Sequence, residues 1–88
     1  MLRRDFTIIN RLGLHARAAA QFVQTANQYS AEVTLFKEDV EVNGKSIMGI
    51  LLLAAPQGTV ISVAVDGTDE EQAMQSIAAL IEDGFGED

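Results

Sequence analysis

The chain has 88 residues, 48% of them hydrophobic, a formal net charge of -7 and no cysteine. That length permits one domain over residues 1–88 with a single core, and the missing thiols exclude disulfides and thiolate metal sites. Nucleic acid, whose phosphate backbone calls for a basic patch, fits this charge poorly.

The opening stretch MLRRDFTIIN carries charge where a signal sequence needs a continuous apolar core. The longest apolar run, IMGILLLAA, is too short to span a bilayer. A cytoplasmic protein without a membrane-spanning segment is therefore expected.

In chain order, residues 2–9 (LRRDFTII) turn rich in β-formers and predict a strand, and NRLG predicts a turn. From Ala16 the apolar set Ala19, Phe22, Val23, Ala26 repeats at helical spacing, predicting an amphipathic helix that ends near Asn27–Tyr29. AEVTLFK and VEV predict two strands joined by a hairpin at KED. NGKS supplies a turn and a helix cap, because the Ser46 hydroxyl can accept from a free N–H of the next turn. IMGILLLAA predicts a short helix stopped by Pro56 and Gly58, with Ile50, Leu53 and Ala54 towards the sheet. TVISVAV predicts another strand, and PQGT before it reads as a plain turn. After DGTDE, where Asp and Thr are cap candidates, Ala73, Met74, Ile77, Ala78, Leu80 and Ile81 mark a last helix. The order β-α-β-β-α-β-α predicts a two-layer α/β sandwich, a mostly antiparallel four-stranded sheet with three helices on one face.

Charge is distributed unevenly. Residues 1–20 hold four arginines and one acid, whereas residues 66–88 hold eight acids and no base. The C-terminal run reads as a solvated acidic face, so positive potential is expected to gather around GLHARAAA, residues 13–20. His15, the only histidine, stands there at the predicted N-cap. The unpaired backbone N–H groups of Ala16, Arg17 and Ala18 then face its side chain, and such a helix end favours an anion. Arg17 adds a planar guanidinium suited to phosphate oxygens. Alanines at 16, 18, 19 and 20 leave room for a partner. The combination points to a histidine that accepts a phosphoryl group and passes it on. A single imidazole makes a poor metal site, and the acids of the last helix lack ligand spacing, so neither metal nor cofactor is expected.

GLHARAAA, followed about 30 residues later by NGKSIMGILLLAAPQGT, resembles the histidine-containing phosphocarrier family, HPr. NRLGLHARAAA and the ending DGFGED are more similar to the nitrogen-branch relatives, NPr. The resemblance implies that His15 takes phosphate from phospho-enzyme I, charged by phosphoenolpyruvate, and gives it to an enzyme IIA-type acceptor, with Arg17 steadying the phosphoryl group. Such a protein is a carrier rather than an enzyme. Family members often have proline where this chain has Ala18. Proline is tolerated in a first helical turn, and alanine there implies altered tuning rather than lost function.

The resemblance also implies that Ser46, in the string KSIMG, is phosphorylated where an HPr kinase/phosphorylase exists. A phosphate there would sit well with the helix dipole and would weaken docking by its charge. Ile47, Met48 and Leu51 are expected on the outer side of an unusually apolar helix, a pattern typical of protein interfaces. The resemblance places enzyme I and enzyme IIA on this face together with Ala16 and Ala20. A monomer is the default. The competing reading is a small α/β regulatory module that binds a metabolite or partner without phosphotransfer.

Overall fold

A computed structural model describes residues 1–87 of the chain. Its elements are β1 (Leu2–Thr7), α1 (Ala16–Ala26), β2 (Glu32–Lys37), β3 (Val40–Asn43), α2 (Ile47–Leu53), β4 (Val60–Asp66) and α3 (Glu70–Glu82), followed by a 3-10 turn at Gly84–Gly86. The four strands form one sheet in the order β1-β4-β2-β3, and every pairing is antiparallel. Because β1 and β2 both oppose β4, they run parallel to each other with β4 between them, and α1 makes the crossover.

Strand alternation decides which face is covered. Phe6, Val33, Leu35, Ile61, Val63 and Val65 are buried on one face. On the other, Arg3 stacks its guanidinium 4.3 Å from the Phe36 ring centroid, and the Ser62 hydroxyl bonds the Asp5 carboxylate. The covered face meets Phe22 and Val23 of α1, Ile50 and Leu53 of α2, and Met74, Ile77 and Ile81 of α3, all in one core. Each large side chain buried there contributes about 1.5–3 kcal/mol by leaving water. α1 packs on both α2 and α3, so the helical layer is continuous over the sheet. No helix of the described residues is long and apolar enough to cross a membrane.

Three local expectations are corrected. β1 ends at Thr7 rather than at residue 9, because Ile8 leaves the ladder to exchange hydrogen bonds with the turn before β4: its N–H donates to Thr59 O at 2.8 Å, and its carbonyl accepts from Gly58 N–H at 2.7 Å. α2 stops at Leu53, and Ala54 adopts a left-handed conformation (φ 52°), so Ala54 is exposed and Ala55 turns into the core instead. Lys37 Nζ donates to the carbonyls of Leu53 (3.2 Å) and Ala54 (2.8 Å), groups that the end of the helix leaves without partners. Asp69 stands at the N-cap of α3 but makes no side-chain cap bond. Its carboxylate accepts instead from the N–H groups of Ser30 (2.8 Å) and Ala31 (2.9 Å), tying α3 to the start of β2.

Candidate functional site

The segment between β1 and α1 carries the histidine, and the turn after α2 fixes its path. Leu14 N–H donates to Ala55 O at 2.9 Å, and Leu14 itself is buried. Gly13 has φ +67°, and a Cβ there would lie 2.5 Å from Ala55 O, so close approach and backbone conformation both call for glycine. Pro56, which opens the PQGT stretch read from sequence as a plain turn, would lie 2.8 Å from the same Cβ, and Gln57 Nε2 donates to Ile9 O at 3.0 Å, so that turn also backs the histidine loop.

His15 caps α1 with an extended backbone (φ -80°, ψ -179°). Its Nδ1 accepts from Arg17 N–H at 3.3 Å, and its carbonyl accepts from Ala19 N–H at 2.8 Å. The Nδ1 atom therefore faces the amino end of the helix, where aligned peptide dipoles leave positive potential. Arg17 is exposed beside it, and Ala16 is exposed as expected. Ala18 and Ala19, expected to keep the site open, are fully buried against the core instead. Only Ala16 and the half-buried Ala20 leave space at the surface.

The other ring nitrogen is also engaged. His15 Nε2 lies 2.5 Å from Glu87 Oε2, and Asn10 Nδ2 donates to Glu87 Oε1 at 2.9 Å. Asn10 is 2% exposed and donates as well to Gly13 O at 2.8 Å, so one amide joins the loop to the Glu87 side-chain carboxylate. Glu87 is delivered by the 3-10 turn, in which Phe85 is buried with φ 58°. The Asn10 hydrogen bond lowers the pKa of Glu87; partial burial opposes this, and His15 and Arg17 add to the lowering. The acidic terminus is therefore not wholly a solvated face remote from the histidine: Glu87 turns back onto it. His15, Arg17, Glu87, Arg11 and the exposed Leu12 line an open cleft of about 650 Å³.

Asn10, Arg11, Leu12 and Glu87 had no individual signal in the sequence. The one available cue was Phe85 between two glycines, an apolar anchor in an otherwise acidic tail.

Ser46 caps α2, its Oγ accepting from Gly49 N–H at 3.0 Å. Ile47 and Met48 are exposed (41% and 70%), Leu51 is half-buried, and Leu52, not singled out from sequence, is 74% exposed.

Residues 2–83 match the family described as "PTS HPr component phosphorylation site". The phosphocarrier protein HPr of Neisseria meningitidis is 54% identical over 87 residues, which cover 99% of this chain and 98% of that protein. Among solved structures, HPr of Thermoanaerobacter tengcongensis superposes with a TM-score of 0.96 at 45% identity, covering 100% of this chain and 99% of the other. An HPr dimer from the same organism gives 0.79 at 46% identity, covering 99% and 100%. With the capped histidine, the open-faced sandwich and full-length relatives in agreement, the chain belongs to the HPr family of phosphotransferase-system phosphocarriers.

Proposed function

We propose that this protein carries a phosphoryl group on His15, accepting it from phospho-enzyme I and passing it to an enzyme IIA-type acceptor. The observation that carries the reading is the imidazole at the N-cap of α1, its Nδ1 turned to the helix amides and Arg17 beside it. In the forward step the Nδ1 lone pair attacks phosphorus as the bond to the donor breaks, and the donor keeps that electron pair. The amides of Ala16, Arg17 and Ala18 and the Arg17 guanidinium supply positive charge to the incoming oxygens. Transfer onward reverses these roles, so the protein is a stoichiometric intermediate without turnover of its own.

Docking is assigned to Ala16 and Ala20 with Ile47, Met48 and Leu51, to which the exposure of Leu52 adds apolar surface. Ser46 is assigned as a regulatory phosphorylation site for a kinase of the HPr kinase/phosphorylase type. Because its Oγ already caps α2, a phosphate there would add charge beside the docking surface without removing the capping atom. One chain supplies both sides of the cleft, which supports a monomer as the working unit, acting in the cytoplasm.

The test is incubation with enzyme I and phosphoenolpyruvate. Wild type should acquire one acid-labile, alkali-stable phosphate, and His15→Asn, which retains a capping side chain, should acquire none. Phosphate retained by a folded His15→Asn protein would sink the assignment.

A further inference from the structure

We infer that Glu87, held by Asn10, is a positioning residue for phosphotransfer: its carboxylate fixes the proton of His15 on Nε2, directs the Nδ1 lone pair to the phosphoryl group, and stabilises the positive ring formed when the N–P bond is made. The inference deepens the proposed function and rests on it.

Three contacts define the arrangement. A carboxylate oxygen 2.5 Å from Nε2 can only accept, so Nε2 bears the hydrogen. The backbone N–H of Arg17, 3.3 Å from Nδ1, can only donate, so Nδ1 presents its lone pair. Both contacts select the same tautomer. The third contact makes the first one stiff: Asn10 donates to the other Glu87 oxygen at 2.9 Å, and Asn10 is buried and bonded to the histidine loop itself. The carboxylate is therefore registered against the segment that carries the imidazole. Its side chain is 15% exposed and that of His15 28%, so water is partly excluded from this contact.

The charge balance gives the carboxylate a role during the reaction. A neutral ring with hydrogen on Nε2 becomes positive as Nδ1 bonds to phosphorus, while the donor keeps the electrons of the broken bond. No proton need leave Nδ1. The new charge is shared with Nε2–H, which points at Glu87, and a carboxylate in that place stabilises an imidazolium and holds its orientation. On transfer to the acceptor the ring returns to neutrality with its hydrogen still on Nε2. The charged groups facing the ring are Glu87 on the Nε2 side, and Arg17 and Arg11, which share the cleft. Both arginines favour the phosphoryl oxygens rather than the ring cation, so among the described residues lining the cleft Glu87 is the one carboxylate that offsets the ring's charge.

The experiment compares wild type, Glu87→Ala and Glu87→Gln in the rate of charging by enzyme I and phosphoenolpyruvate, with imidazole ¹⁵N spectra at alkaline pH. Glu87→Ala should charge about 10-fold more slowly, the low end of what is lost when the group orienting a metal-binding histidine is removed. The loss should lie in kcat, with KM for the carrier little changed, and the ¹⁵N signals of Nδ1 and Nε2 should move towards each other as the tautomers mix. Glu87→Gln keeps an acceptor without the charge and should fall between the two. Charging of Glu87→Ala at the wild-type rate or faster overturns the inference, the latter identifying Glu87 as an obstruction. A slower rate with unchanged ¹⁵N signals also overturns it, because the tail would then serve docking. These results are separate from failure of the phosphocarrier reading, in which wild type itself would not charge on His15.

Discussion

His15 is held from both sides, and the two sides differ in how they could be foreseen. The Nδ1 contact is local: an N-cap reaches the N–H two residues on, so GLHAR followed by an alanine-rich helix predicts it. The Nε2 contact joins residues 72 positions apart, and nothing in DGFGED marks Glu87 out from the other acids of that stretch. Ser46 belongs with the foreseeable kind, since its Oγ accepts from the N–H three residues on. Ser46→Ala removes that acceptor and should destabilise the fold by about 1 kcal/mol, lowering Tm by roughly 4–8 °C for a domain of this size. Ser46→Asp restores a capping oxygen and should recover most of the loss. Equal melting temperatures for the two variants would show that the cap contributes nothing.

At the scale of elements, hydrophobic periodicity marks α1 and α3 because each buries a continuous stripe, and nearly every expected core residue of α3 is buried, Leu80 only partly. Element ends are less legible, since tertiary partners set them. Ile8 leaves β1 for the turn at Gly58–Thr59, and α2 ends where Lys37 reaches its terminal carbonyls. Ala18 and Ala19 show the same limit at the site itself: small side chains next to a reactive histidine suggest open space, yet here they let α1 approach the core. The contact between the histidine loop and the turn after α2 has a specific consequence. In Gly13→Ala the new Cβ would meet Ala55 O at 2.5 Å while the backbone keeps φ +67°. The substitution should destabilise by at least about 2 kcal/mol, combining left-handed strain with overpacking. Because Gly13 O also anchors Asn10, charging of His15 should slow under conditions where the variant remains folded. A melting temperature within 1–2 °C of wild type, a range that corresponds to only a few tenths of a kcal/mol, would show that the loop tolerates the clash by shifting.

Across the whole molecule, a net charge of -7 is accommodated by giving several acids backbone or terminal partners. The strand order β1-β4-β2-β3 could not be reached from residue patterns alone, and it is this order, with β1 beside β4, that brings the N-terminal ammonium to Glu70. Among the described residues, three carboxylates have pKa values lowered by the fold. Asp69 is lowered first by the Ser30 N–H, with burial opposing and Ala31 N–H assisting. Glu70 is lowered first by the Gly67 N–H and then by its bond to the N-terminal ammonium, and Glu87 first by Asn10. In each case the unfolded chain takes up its proton at a higher pH than the folded protein does. Stability from these contacts is therefore fully present above the ordinary carboxylate values, about 3.9 for Asp and 4.3 for Glu, and is lost as pH falls through the lower folded values. Tm should be nearly level from pH 7 to about pH 5 and then decline as these groups are forced to protonate. Asp69→Asn should melt below wild type at pH 7, decline less steeply in acid, and approach the wild-type curve at the lowest pH at which both remain folded. A variant curve parallel to wild type through the acid range would show that the link from Asp69 to Ser30 and Ala31 does not contribute to the pH dependence.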